Sequence, residues 1–434
     1  MRYFYLFFLL LPLLSCQKNT DPGLVEHPAD WVNPLMGTLS DFSFSSGNTY
    51  PAIARPWGMN FWSPQTGKMG DGWMYAYSSK QIRGFKQTHQ PSPWINDYGQ
   101  FSLFATTGKI VSDENERASW FSHKAEIARP WYYQAYLADY DVVTEITPTE
   151  RAACFRFTFP ENDTSCVLID AFDKGSMVRV IPEENKIVGY TTRHSGGVPD
   201  NFKNWFVVRF DKPFVTWYTW LDGKISENRS MSEGFHAGAI VRFKTTKGEQ
   251  IQARVASSFI SPEQAELNLQ KEIANRSFDE ISREGRDIWD KELGRIRISD
   301  ENPDKVRTFY SCLYRILLFP RKFYETDTEG KIYHYSPYNG KVLPGVMYTD
   351  NGFWDTFRAV FPFFTWMYPE MDGKIMEGLV NAYLESGWLP EWASPGHRDC
   401  MIGSNSASLI TDAYLKGIRG FSIDTLYAAI LKNS

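Results

Sequence analysis

Several kinds of chemistry have no foothold in this sequence. It contains no CxxC pair, no HExxH, no glycine-rich phosphate loop and no dinucleotide fingerprint. Thiol-redox, zinc-hydrolase and nucleotide-dependent readings therefore lose their usual signatures. The five cysteines, Cys16, Cys154, Cys166, Cys312 and Cys400, lie too far apart in sequence to form a metal motif, and the seven histidines are scattered. Cys154 and Cys166 flank a turn, and either pair or remain as two buried thiols. Net charge is −5 with acids and bases interspersed, so nothing suggests a nucleic-acid partner. The apolar run Tyr3–Leu14 is too short to anchor the chain across a bilayer.

What is present is length and aromaticity. The 434 residues suffice for two or three domains, and 16% of them are aromatic, including 15 Trp and 23 Tyr. Either a large aromatic core or a ligand cleft explains that richness. Trp and Tyr pair a flat apolar face with a polar edge, which suits a sugar better than a greasy ligand. Residues 1–16 read as an export signal ending Leu13-Leu14-Ser15-Cys16, which resembles a lipoprotein box with Cys16 as the lipidated residue. Residues 24–260 carry a β signal. Phe155, Phe157 and Phe159 alternate with Arg156 and Thr158, and short aromatic or β-branched runs recur between turns such as Asp222-Gly223 and Lys247-Gly248. That spacing predicts a sandwich. Within it, residues 33–99 are rich in Gly, Pro, Asn and Trp, which predicts an ordered, loop-rich surface.

Helices follow. Ser261-Pro262 with Gln264, and Ser277 with Glu280, open two helices of a linker over residues 261–300. In residues 301–434, Asn302-Pro303 opens a helix with Val306, Tyr310, Leu313 and Leu317 on one stripe. Phe353, Phe357, Phe361 and Phe364 predict a single helix, and Pro369 opens another that Gly387 closes. A further helix after Gly403 turns Leu409, Ile410, Ala413 and Tyr414 inward, and one more begins near Asp424. Long loops alternate with short joins here. Sequential antiparallel helices then bring loops 321–352 and 388–404 side by side on one rim. Asp350, Asp355, Glu385, Glu391 and Asp399 all fall on or near that rim.

Five motifs give this pattern a family likeness: SGNTYPAIARPWGMNFWSPQTG (46–67), GFKQTH (84–89), NDYG (96–99), GFWDTFR (352–358) and WASPGHRDCMIG (392–403). Together they resemble bacterial glycoside hydrolase family 92, from about Val32 to near residue 432. The resemblance implies an α+β multidomain protein with an N-terminal β-sandwich, a helical linker and an (α/α)6 toroid. It also implies a calcium-dependent, inverting exo-α-mannosidase of α-1,2 type acting on N-glycans or mannan. Such a protein would be exported to the bacterial cell envelope and held at the membrane by its lipid anchor. The helices here account for about half a toroid, so the catalytic acid, the base and the calcium ligands are expected beyond Ser434. The chain itself is then expected to be an inactive, truncated form.

The resemblance gives Asp355, beside Trp354, the role of accepting hydrogen bonds from hydroxyls of a terminal mannose. A carboxylate there also suits the first turn of a helix. Arg398 and Asp399, on the facing loop, either line the same pocket or pair with each other, and His397 is a weaker candidate. Trp94, His89 and Asn96 are expected to approach from the sandwich, because family sites lie at the domain interface. Two other readings compete: a non-catalytic glycan-binding surface lipoprotein, and a different toroidal carbohydrate enzyme of trehalase-like or phosphorylase-like kind.

Overall fold

The computed structural model describes residues 24–39 and 48–434. The lipidation candidate Cys16 lies outside them, as do Ser46 and Gly47 of the first motif.

Two antiparallel sheets form the N-terminal region. One has seven strands in the order Phe61–Gln65, Gly84–Thr88, Phe101–Thr107, Asn162–Asp170, Ala237–Thr245, Thr216–Leu221 and Lys224–Glu227. The other has nine, in the order Met231–Gly234, Ser176–Ile181, Lys186–Thr191, Asn204–Phe210, Glu249–Ser258, Ala152–Phe159, Val142–Pro148, Tyr132–Leu137 and Ile127–Arg129. Phe155 and Phe157 from the second sheet share one core with Leu103, Leu168 and Trp220 from the first. The period-two pattern places these side chains between the layers, as in a sandwich. Cys154 and Cys166 sit on strands of different sheets as buried free thiols, so no disulfide joins them.

Residues 48–66 depart from the surface reading. Most of them are buried, including Ala52, Ile53, Ala54, Trp57, Met59, Phe61 and Trp62. The reason is tertiary. Ala52, Ala54, Trp57 and Phe61 pack into a core shared with Trp289, Tyr314, Phe364 and Tyr368 of the helices. The irregular backbone is satisfied by helical side chains: Trp289 Nε1 donates to Ala54 O at 2.8 Å, and Tyr314 Oη donates to Ala52 O.

The linker consists of α1 (Pro262–Glu272) and α2 (Phe278–Leu293). Ser277 and Glu280 complete a reciprocal capping box, whereas only Ser261 caps α1, because the Gln264 side chain turns to Asn268 and Thr326. Beyond it lie α3 (Pro303–Ile316), α4 (Phe353–Thr356), α5 (Val360–Met367), α6 (Pro369–Ser386), α7 (Asn405–Leu415) and α8 (Ile423–Asn433). A β-rich domain followed by a helical region is the architecture expected.

Two helical expectations need correction. The Phe353–Phe364 stripe is two helices, with the break at Phe357–Ala359. Pro362 explains it, since its ring would strike the carbonyl four residues earlier in a continuous helix, but it fits the first turn of a restarted one. Tyr414 is 38% exposed, outside the stripe of Leu409, Ile410 and Ala413. Among the described residues no helix is long and apolar enough to cross a membrane.

The rim prediction concerns which loops meet. Asn351–Gly352 pairs antiparallel with Trp392–Ala393, Asn351 opposite Ala393 and Gly352 opposite Trp392. The two chemically rich loops are therefore joined edge to edge, and their junction borders the sandwich.

Candidate functional site

A cleft of about 560 Å³ opens where the sandwich meets the helices. Pro91, Ser92, Trp94 and Ile95 line it from the sandwich side. Asp350, Asn351, Gly352, Asp355 and Thr356 line it from one rim loop, and Trp392, Cys400 and Met401 from the other.

The sandwich wall is a loop pinned at both ends. The Asp97 carboxylate accepts from Thr88 Oγ1 and from the backbone N–H groups of His89 and Tyr98, each at 2.8 Å. It also pairs with buried Lys86 at 2.8 Å, and this cation beside it holds the Asp97 pKa below the usual carboxylate range despite burial. His89 closes the same loop through Nδ1 to Tyr98 O at 2.7 Å and through Nε2 to Asn60 Oδ1 at 2.9 Å. Burial and the nearby Arg321 push the His89 pKa down to about 3. With its ends fixed, the loop presents Trp94, which is 55% exposed and meets Trp73 edge-on at 5.7 Å between ring centroids.

The floor is a buried charge cluster that sequence reading did not single out. Arg321 Nε donates to Asp350 Oδ2 at 2.7 Å, and Tyr98 Oη donates to the same oxygen at 2.9 Å. The Arg321 guanidinium also lies 3.7 Å from the centroid of the Phe61 ring and donates to the carbonyls of Met59 and Thr88. Both charged side chains are fully buried. Burial lifts the Asp350 pKa to about 6 even with Arg321 beside it. Asp350 has φ 60°, a left-handed conformation that costs a non-glycine residue energy unless its surroundings hold it. Here the ion pair does.

Asp355 differs from Asp350. It sits in the first turn of α4, is exposed to the cleft, and accepts no hydrogen bond from any described residue. Partial desolvation raises its pKa, and Arg358 opposes that rise.

The remaining sequence candidates separate clearly. Trp94 and Asp355 are brought together on the cleft walls. His89 is corrected: it is fully buried with both ring nitrogens engaged. Asn96 is half-buried, its amide donating to Gly70 O at 3.1 Å and its Oδ1 accepting from Asp97 N at 2.8 Å. Trp354 and Asp399 do not line the cleft; Arg358 lies over the Trp354 ring at 4.8 Å, and Asp399 is exposed. Arg398 does not pair with Asp399. Its guanidinium bridges to Ile95 O and Ser195 Oγ, both at 3.2 Å, tying the 388–404 loop to the sandwich loop that carries Trp94. His397 lies against Tyr338, with ring centroids 4.7 Å apart.

Two other rim carboxylates are also engaged. Glu385 Oε1 meets His334 Nε2 at 2.8 Å, and Glu391 Oε2 accepts from the backbone of Asn405 and Ser406 at the start of α7. Among the described residues no group of three or more His, Cys, Asp or Glu could hold a metal ion.

Comparison with known proteins identifies the family. Residues 31–258 match the glycosyl hydrolase family 92 N-terminal domain, and residues 264–434 match the family 92 catalytic domain. An inverting family GH92 mannosidase from Bacteroides thetaiotaomicron VPI-5482 superposes with a TM-score of 0.92 at 48% identity, over 94% of this chain and 55% of that one. A family GH92 α-mannosidase from Bacteroides thetaiotaomicron, solved with mannoimidazole, gives 0.82 at 28% identity, over 93% of this chain and 55% of that one. A secreted glycosidase of Arthroderma benhamiae is 23% identical over 93% of this chain and 52% of its own length. The chain thus spans about half the length of these relatives. With both of its matched segments in family order around one interdomain cleft, the chain belongs to glycosyl hydrolase family 92.

Proposed function

We propose that the cleft recognises a terminal α-linked mannose and that the whole protein is an exo-α-mannosidase acting with inversion on N-glycans or mannan. The observation that carries this reading is Asp355, a carboxylate with no hydrogen-bond partner among the described residues, facing an aromatic-walled cleft. Two vicinal hydroxyls can donate to its two oxygens, and Trp94 offers an exposed ring beside them. An α-1,2 preference rests on the family resemblance alone.

Inverting hydrolysis uses a carboxylic acid and a carboxylate about 6.5–9.5 Å apart, with water between one of them and the sugar. Asp350 and Asp355 are the two carboxylates lining this cleft, and Asp350 is committed to Arg321 and Tyr98. We therefore assign neither the acid nor the base to the described residues of this cleft. Apolar side chains on the helices are also open to solvent: Leu384, Leu415, Tyr427 and Leu431 are each 59–78% exposed. Such surface is ordinarily covered. Calcium, which the family resemblance implies, fits no group of three or more His, Cys, Asp or Glu among the described residues. Export follows from the N-terminal signal, with Cys16 as a lipid anchor to the cell envelope.

A second reading is glycan binding without catalysis, supported by a cleft that offers Asp355 and Trp94 while Asp350 is engaged by Arg321 and Tyr98. The test is mannose release from an α-linked mannobiose by the purified chain, with and without chelator, alongside calorimetric binding of methyl α-mannoside. Binding without release is expected. Chelator-sensitive release would place the catalytic pair and the metal within this chain.

A further inference from the structure

A second pocket, of about 530 Å³, opens where the sandwich, the linker and the helical region meet, and it shares no lining residue with the cleft between the rim loops. Five cations and four carboxylates line it, and their pairing is uneven. Arg151 meets Glu150 at 3.0 Å and Glu272 at 2.9 Å, and Lys322 pairs with the same Glu150. Arg55 and Arg276 share one carboxylate, Glu284, at 3.1 and 2.9 Å. Lys271 donates to Thr326 Oγ1 at 3.0 Å and to the carbonyl of Asp327, and meets no carboxylate among the described residues. Glu292 is engaged by Arg295, which is not part of this pocket. Three carboxylates therefore serve five cations, and a surplus of two positive charges remains.

Water does little to relieve that surplus at Arg55, whose side chain is 4% exposed. Burial pushes its pKa down to about 10; Glu284 opposes the fall and Arg276 adds to it. Gly285 makes room for the guanidinium, since a Cβ there would lie 2.1 Å from Arg55 Nη1, and this nitrogen has no hydrogen-bond partner among the described residues. A second guanidinium beside its one carboxylate leaves a positive potential that solvent screens poorly.

We propose that this pocket binds a doubly charged oxyanion, a phosphate or sulfate group that is either free or carried on a small organic molecule. The inference goes beyond the reading of the cleft and does not depend on it. Two negative charges match the surplus. Arg276 is partly exposed and Lys271 is exposed, so these two are the members that can reach an anion. A guanidinium fork offers paired N–H groups to two oxygens, and an ammonium adds a compact charge. Arg55 contributes through its field from within the protein. A metal cation meets the same surplus as repulsion, and a neutral sugar leaves it unanswered. The volume leaves space for a carrier beside the anionic group. Because Arg151 belongs to the sandwich, Arg276 to the linker and Lys322 to the helical region, a bound anion draws all three together.

The full chain is titrated by calorimetry with sodium phosphate, sodium sulfate and glucose 6-phosphate, each set against sodium chloride at equal ionic strength, and melting is followed in the same series. Saturable binding that chloride does not reproduce is expected, with Tm rising as the pocket fills, because a ligand of the folded state stabilises it. Tighter binding of glucose 6-phosphate than of phosphate identifies a carried group, and equal or weaker binding identifies the free ion. Lys271→Met and Arg276→Met together should weaken phosphate about tenfold or more, the range for lost charge-assisted contacts. Glu284→Gln removes the shared carboxylate and should tighten phosphate; if the double variant does not fold, this variant decides. A phosphate effect no larger than that of chloride, or one undiminished in the double variant and unmoved by Glu284→Gln, means an adventitious ion only and overturns the inference.

Discussion

Asp372 offers a quantitative test of how the helical region is packed. It lies near the start of α6, fully buried, and neither carboxylate oxygen meets a hydrogen-bond partner among the described residues. Burial raises its pKa most, nearby Asp412 on α7 raises it further, and Lys416 offsets part of this, leaving a value of about 7. Lys416 is already paired with Asp412 at 2.7 Å, which limits its help. In the unfolded chain the same group titrates near 3.8. The folded state therefore holds this proton more tightly than the unfolded state does. The stabilising contribution is fully present below pH 3.8 and is lost as pH rises through about 7. At about 1.4 kcal/mol per unit, the ionised carboxylate costs about 4 kcal/mol above pH 8. Asp372→Asn keeps the shape and cannot ionise. Denaturant titration at pH 8 should find the variant more stable than wild type by about 2–4 kcal/mol, and the gap should close towards pH 4. Asp412→Asn should act in the same direction, but less. Parallel stability curves for wild type and Asp372→Asn across that range would refute the assignment of a buried, unsatisfied carboxylate.

Arg398→Met removes the bridge to Ile95 and Ser195, so the loop 91–96 should exchange amide hydrogens faster and methyl α-mannoside should bind several-fold more weakly; unchanged exchange there would mean the bridge positions nothing. Cys400 is a free thiol on the cleft wall whose pKa is raised by burial, so iodoacetamide should modify it slowly, faster as pH rises, and sugar should protect it in a Cys312→Ser background; modification at an equal rate with and without sugar would separate Cys400 from the ligand. Cys16→Ala should move the protein from membranes to the soluble fraction when expressed with its leader, and unchanged fractionation would rule out the lipid anchor.

Helix ends were legible because their signals are local. Ser277 with Glu280, Asn302 with Pro303 and the left-handed Gly387 each cap the helix that their spacing predicts. The break between α4 and α5 was equally local, and Pro362 announces it once its clash with residue 358 is considered. The burial of residues 48–66 is of another kind. Gly, Pro and Asn make that stretch irregular, and irregular chain is ordinarily on the surface. It is buried here because Trp289 and Tyr314, more than two hundred residues later, supply the hydrogen bonds that its backbone carbonyls require. Composition records the irregularity and carries no trace of those partners.

The same distinction runs through the cleft. Alternating loop lengths were enough to bring 321–352 against 388–404, and with them Asp355 into a cleft that Trp94 enters from the other domain. Residue type alone does not say which polar groups remain available once the chain is folded. His89, Asn96, Glu385 and Glu391 are chemically able to bind a sugar, yet each is engaged by backbone or by a neighbouring side chain. Asp350 needs Arg321 and Tyr98, 29 and 252 residues away, before its role as a floor can be seen. Gly352 is the limiting case, because its missing Cβ leaves room for the Trp392 ring to lie against the backbone. That absence acquires meaning only after the ladder sets Trp392 across from it and α4 turns Asp355 back towards it. A recognition site of this kind is defined by which donors and acceptors folding leaves unmatched, so it is read from hydrogen-bond accounting in three dimensions and not from motif spacing.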